Sequence, residues 1–434
     1  MRRVVLSMLM ISASPFVFAQ VGKVTFYKDI LPILQENCQE CHRSAGTNYG
    51  GMVAPMSLAS FEETRPWAKS IVKQVTSREM PPWDAALEHM GTFSNERVLT
   101  QGEIDVITRW TETGTSRGNP KDAPAPKAFK NNDGWMIGKP DLIVTMPEPF
   151  FVDDDVEDLY AAFNVDLTSE QLGEDVWITG FQCKPGSEVI HHFNCMVLPP
   201  EDGKLPPPPE FTNTDRGEIA PARANAGQYI GGAASGTDAN VYPEGFGYPL
   251  PKGSRITFDV HYHKEKGAGT GMYDQSSIGF TLTNVPPTRS FTAGAGGVLT
   301  TFAINIPPGE KRVQIGPVSR KFKQASDIVS LMPHMHLRGS EAKFEAFYPD
   351  GTSEVLLYVP RYDFAWQTVY YFKDIKQIPA DTKVEFTAWY DNSPEMAELR
   401  VFDSTKTVKY GPESTDEMMM GFIMAAPSVE EDTH

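Results

Sequence analysis

Ile256-Thr257-Phe258-Asp259-Val260-His261-Tyr262-His263 alternates apolar and polar side chains along its length. Period two marks a half-buried strand, because successive residues point to opposite faces. The same habit recurs outward from it. Residues 141–144, 176–181 and 384–390 read as strands, and 344–348 and 354–359 flank Pro349-Asp350-Gly351-Thr352 as a hairpin. Gly and Pro, 35 of each, supply turns for many short strands and disfavour an all-helical chain. At roughly 100–200 residues per domain, 434 residues suggest several domains.

Charge and the N-terminus bound the function classes. Acidic residues outnumber basic ones 56 to 39, giving −17, which argues against a nucleic-acid partner. Arg2 and Arg3 precede an apolar run, and Val17-Phe18-Ala19 stands before Gln20. That order reads as a signal peptide over 1–19, and predicts a periplasmic or secreted protein. No later segment reaches the roughly 18 apolar residues of a membrane span, so no stable membrane insertion is expected.

Cys38-Gln39-Glu40-Cys41-His42 is a C-x-x-C-H pattern. Two thiols three positions apart can add to the vinyl groups on one haem edge, and the adjacent His then reaches the iron. One covalent haem c is therefore expected on Cys38, Cys41 and His42. Thr100-Gln101-Gly102-Glu103 reads as a capping box opening a helix with Ile104, Ile107 and Trp110 on one side. Such helices around the motif resemble a small monohaem cytochrome c over 20–118. Met80, in the proline-stiffened Met80-Pro81-Pro82-Trp83, is the favoured sixth ligand, with Met52, Met56, His89 and Met90 as rivals. Residues 119–137 are polar and proline-rich, and read as a linker.

Six of the nine histidines fall in the β region as three pairs: His191-His192, His261-x-His263 and His334-x-His336. Imidazole is the common ligand of copper, zinc and iron. Residues i and i+2 share a strand face, so His334 and His336 can hold one metal together. Adjacent His191 and His192 diverge in a regular strand, and converge only at a bulge or strand end. Met418-Met419-Met420 adds thioethers, and a Met beside two His selects copper, although a Met run alone more often fills a core.

The succession Glu188-Val189-Ile190-His191-His192, Asp259-Val260-His261-Tyr262, His334-Met335-His336-Leu337 and Thr415-Asp416-Glu417-Met418 resembles the copper type II, ascorbate-dependent monooxygenases, among them peptidylglycine α-hydroxylating monooxygenase and dopamine β-monooxygenase. The resemblance spans about 138–434. It implies two jelly-roll sandwiches, 138–290 and 291–434, facing a cleft. It also implies two coppers, one on His191, His192 and His261, the other on His334, His336 and Met418, where O2 binds and a C–H bond is attacked. His263 has no ligand role in that pattern. The expected fold is thus a small all-α cytochrome c domain followed by two all-β sandwiches.

The resemblance implies hydroxylation of a small-molecule substrate with O2 and an external electron donor or redox protein, ascorbate in the family. Here haem fused upstream is expected to replace or supplement it. Peptide-processing members hold a carboxylate with an Arg, an Asn and a Tyr, where this chain has Met332, Met420 and Phe422. A buried carboxylate without a charged partner is costly, so a less polar substrate is expected. Cys183 and Cys195 bracket the first His pair; in an exported protein they are expected to form a disulfide, the rival role being a thiolate copper ligand. Two other classes remain open: an electron-transfer or copper-binding protein without hydroxylase activity, and a non-catalytic pair of sandwiches with haem as a redox sensor.

Overall fold

The computed structural model describes residues 23–44, 46, 53–129, 134–208, 212–213, 227–234, 236–237, 239–291, 296–411 and 413–429. The expected signal peptide, Met52 and residues 130–133 of the expected linker lie outside them.

Strands make up 38% of the protein and helices 14%, which corrects the expected fold class. Four larger sheets, of six, five, four and four strands, stand like the blades of a propeller, and among the described residues no all-α cytochrome domain stands apart from them. The helices are short. The longest near the N-terminus, Gln101–Glu112, begins at the capping box on Thr100 and buries Ile104, Ile107 and Trp110. With Leu31–Asn37 and Ala68–Thr76 it encloses a small core containing Phe26, Leu34 and Val75.

The segment between those helices explains why they form no separate domain. Trp83, Ala85 and Phe93 belong to the core of the C-terminal sheets. Their backbone joins as well: Ser94 N donates to Tyr371 O at 2.8 Å, Lys373 N to Thr92 O at 2.9 Å, and Ala86 N to Tyr358 O at 2.8 Å. The prolines after Met80 leave an extended stretch whose backbone groups need partners, and the edge of strand Tyr370–Ile378 supplies them. Trp83 meets Tyr370 edge-on at 5.0 Å, and Arg361 bonds Ser77 O, Arg78 O and Glu79.

Asp84 sits buried in this junction, 3.8 Å from Arg361. Burial, with the nearby negative charge of Asp363, pushes its pKa up to about 7 against the pull of Arg361. The unfolded chain releases this proton near pH 4, about where a free Asp titrates. Between the two values the folded state binds the extra proton, so stability falls as pH rises through that window. Urea midpoints for wild type should drop between pH 5 and pH 8, and Asp84→Asn should flatten the drop; equal slopes in both would remove Asp84 as the cause.

In the first sheet pair, strand Arg255–His263 lies centrally, between Asp158–Asp166 and Ile190–Leu198. It is buried along all but its last residue, more fully than its alternation suggests, because the polar face with Arg255, Thr257, Asp259 and His261 is covered as well as the apolar one. In the second pair, Ser326–His334 lies between Met420–Pro427 and Tyr370–Ile378, and the hairpin Gly339–Phe347/Ser353–Val359 forms as expected. Gly421 lies opposite Pro333; a Cβ there would sit 2.5 Å from the Phe386 ring, so only glycine lets this strand approach.

Cys183 and Cys195 are buried free thiols, not the expected disulfide. They lie on strands of opposite sheets within one apolar core, where burial raises both thiol pKa values. Among the described residues no helix is long and apolar enough to cross a membrane.

Candidate metal centre

The first histidine group is built on two paired strands. His261 stands directly across from His192. The next pair along is Tyr262 with Ile190, so His191 is the extra residue of a β-bulge. That bulge turns the otherwise divergent His191 toward its neighbour. The Nδ1 atoms of His191 and His192 lie 3.0 Å apart, and one ring nitrogen from each of His191, His192 and His261 falls within 4.8 Å of the others.

Asp158, which the sequence did not mark, orients this group. Its carboxylate lies 2.7 Å from His261 Nε2 and 3.0 Å from His263 Nδ1. With Nε2–H donated to the carboxylate, Nδ1 of His261 carries the lone pair. The ring of Tyr160 stacks on His261 at 4.1 Å. Burial alone would raise the Asp158 pKa, but the hydrogen bonds and charges of His261 and His263 hold it well below the usual range. His263 is exposed and serves Asp158 from the strand end, which gives it a place beside the group.

His191 is pushed down to about 3, first by burial and then by the charges of His261, His263 and His334. Its imidazole is therefore neutral at ordinary pH, the form that binds a metal. Three imidazole nitrogens converging in one spot, with His261 buried and His191 and His192 half-buried, fit a copper or zinc ion.

The second group lies at the end of strand Ser326–His334. The rings of His334 and His336 are 5.3 Å apart, and both residues line one cavity of about 820 Å3 together with Met418 and His192. His334 Nδ1 is 2.7 Å from Gln367 Oε1. Burial lowers the pKa of both histidines, that of His336 further through the charges of His334 and His191. Two imidazoles and a methionine that line the same cavity are ligand types that suit copper.

A buried clamp fixes His336 relative to Met418. Glu417 accepts the backbone N–H of His336 at 2.8 Å and of Arg338 at 2.6 Å. The buried Arg338 in turn bonds Asn392 Oδ1 at 2.8 Å and the carbonyls of Thr415 and Asp403. Burial pushes the Glu417 carboxyl up to about 8, against these amides and Arg338. Asp158, Gln367 and Arg338 were not marked by the sequence, and Glu417 stood there only as part of the motif before Met418; the partners of Asp158, Gln367 and Glu417 lie across long gaps in the chain.

The cavity around these ligands is largely apolar. Met332, Met420, Phe422, Met424 and Val369 line it, with Asn194, Gln228, Tyr229, Thr237, Asn240 and Ser330 among its polar points. Among its described lining residues none is Asp, Glu, Lys or Arg.

At the N-terminal motif, Cys38 and Cys41 are free thiols on the turn after Leu31–Asn37. Burial, with the charges of Cys41 and Glu103, pushes the Cys38 pKa up to about 12. His42 Nδ1 lies 3.2 Å from Met56 O, which leaves Nε2 as the lone-pair nitrogen, the arrangement that suits a haem ligand. Of the sixth-ligand candidates, Met80 is 40% exposed, whereas His89 Nε2 accepts the Tyr358 amide at 2.9 Å. Met56 lends only its carbonyl to His42, and Met90 is exposed.

No family model and no curated protein matches the chain. Solved structures similar to it include a turret protein of Sulfolobus turreted icosahedral virus, at 8% identity and a TM-score of 0.13, covering 65% of this chain and 98% of that one. Another is the VP2 subviral particle of infectious bursal disease virus, at 10% identity and a TM-score of 0.17, covering 71% and 76%. Likeness at this level carries no conclusion about fold or function.

Proposed function

We propose that this protein is an exported haem- and copper-dependent monooxygenase that hydroxylates a C–H bond of a small, rather apolar molecule. The observation that carries the reading is convergence: histidines far apart in sequence, His191, His192 and His261, bring their ring nitrogens within 4.8 Å of one another, and His192 lines one cavity with His334, His336 and Met418. His191, His192 and His261 would hold one copper; His334, His336 and Met418 would hold the other. Copper supplies one-electron chemistry toward O2; the overall reaction consumes O2, two electrons and two protons and yields R–OH and water.

The chain's own residues do the rest. Asp158 and Gln367 fix the tautomers of His261 and His334. The apolar lining excludes water and receives the substrate, and Asn194, Asn240 and Tyr229 offer hydrogen bonds that orient it. Cys38, Cys41 and His42, with Met80, would hold one haem c as electron entry. The docking of residues 83–95 on the sheet that carries His334 supports delivery within one chain.

Elemental analysis of purified protein is expected to give one iron and two coppers per chain, and the reduced protein should take up O2 faster with an apolar substrate. Copper bound without substrate-dependent uptake would favour an electron-transfer or copper-binding role. In stopped flow, reduced haem should reoxidise faster in copper-loaded than in copper-free protein; equal rates would remove haem as the donor. A glycine-extended peptide should not be turned over, because Met332, Met420 and Phe422 leave its carboxylate without a charged partner. Turnover of such a peptide at the rate of an apolar substrate would refute that.

A further inference from the structure

The two histidine groups meet through one side chain. The ring of Phe364 lies 5.2 Å from that of His191, tilted 31°, and 5.7 Å from that of His336, edge-on at 67°. Its segment is fastened to the second group. Tyr362 Oη accepts from Met335 N at 3.1 Å and donates to Met335 O at 2.8 Å, gripping the residue between His334 and His336. Gln367 bonds His334 through Oε1 and donates to Phe364 O through Nε2 at 3.2 Å. Arg400 holds Tyr362 O at 2.6 Å.

Phe364 is thus a wedge built on the second group and pressed against the first. It does not line the cavity, so its place is explained neither by substrate contact nor by metal ligation. A ring packed on two imidazoles fixes both their orientation and the gap between them, since side chains in a close-packed interior move only together.

Resting on the copper reading above, we infer that Phe364 is the positioning residue that sets the separation and mutual orientation of the two metal-holding histidine groups. His191 sits in a bulge, where the ladder constrains the backbone least. A neighbour on the far side is what keeps its ring in register with His336.

The test is the distance between two Cu(II) ions in the full chain, read by pulsed electron paramagnetic resonance. Wild type should give a narrow distribution. Phe364→Ala, still binding two coppers, should broaden it about twofold or more, since a site loosens when its supporting contacts are removed. Phe364→Tyr, which keeps the ring, should restore the narrow distribution. If Phe364→Ala fails to fold or loses a copper, Phe364→Leu is measured against the same criterion. A variant lacking the ring with a distribution as narrow as wild type overturns the inference, and so does Phe364→Tyr as broad as Phe364→Ala. Wild type with fewer than two coppers overturns both this inference and the copper reading; two coppers with an indifferent Phe364 overturns this inference alone.

Discussion

His261→Ala is expected to lose one of two coppers and nearly all turnover while keeping its haem. His261 is 1% exposed, faces His192 across the ladder, and takes its orientation from Asp158 and Tyr160. Its removal leaves His191 and His192 as a two-nitrogen site with a gap on the third side. Two imidazoles bind far more weakly than three, and the loss should exceed the 10–100-fold that altering an orienting partner typically costs. Asp158→Asn supplies that milder case: the ring stays, the carboxylate goes, and copper affinity should fall by about 10–100-fold. Titration against a competing chelator ranks the three proteins. Wild-type copper affinity in His261→Ala would mean that the three nitrogens converge for some other reason.

The same residues show what could be read from the chain beforehand. Adjacent histidines on a strand diverge, so joint use of His191 and His192 demanded a bulge, and the ladder slips at that point. The hairpin after Gly339 followed from strand period, whereas the strand ends at His334 and His336 is set beside it by the Glu417 clamp rather than by a shared strand face. The partners of these groups were not legible. Asp158 is 103 residues from His261 in sequence, and Glu417 is 81 from His336. A carboxylate in a strand looks like any surface acid until the register places it opposite a histidine.

The N-terminal segment failed for a related reason. Trp83 and Phe93 lie between helices, and the resemblance to a monohaem cytochrome c over 20–118 placed that stretch in a helical domain. Periodicity tells which face is apolar but not which core receives it. The extended stretch after Pro82 could satisfy its backbone only on a sheet edge, and that choice drew Trp83 and Phe93 into the β core. The expected all-α domain dissolves at that point, although its capping box and the Ile104, Ile107, Trp110 face form as read.

The run Met418-Met419-Met420 separates ligand from filler. Met418 and Met420 line the cavity, whereas Met419 is fully buried in the second core. Met419→Ala should cost about 2–5 kcal/mol of stability, as deleting buried methylenes does, and leave both coppers in place. On the proposed copper reading, Met418→Ala removes the thioether that joins the two imidazoles at the second site. Its backbone is held independently, by Tyr390 donating to Met418 O at 2.8 Å and by the Glu417 clamp, so the fold should survive. Hydroxylation should fall by about 100-fold or more, since a ligand matters at least as much as the groups that orient one. The haem spectrum and the His191–His192–His261 copper should remain as in wild type. Undiminished turnover in Met418→Ala would remove Met418 from the second site; a copper lost from Met419→Ala instead would move the thioether ligand to Met419.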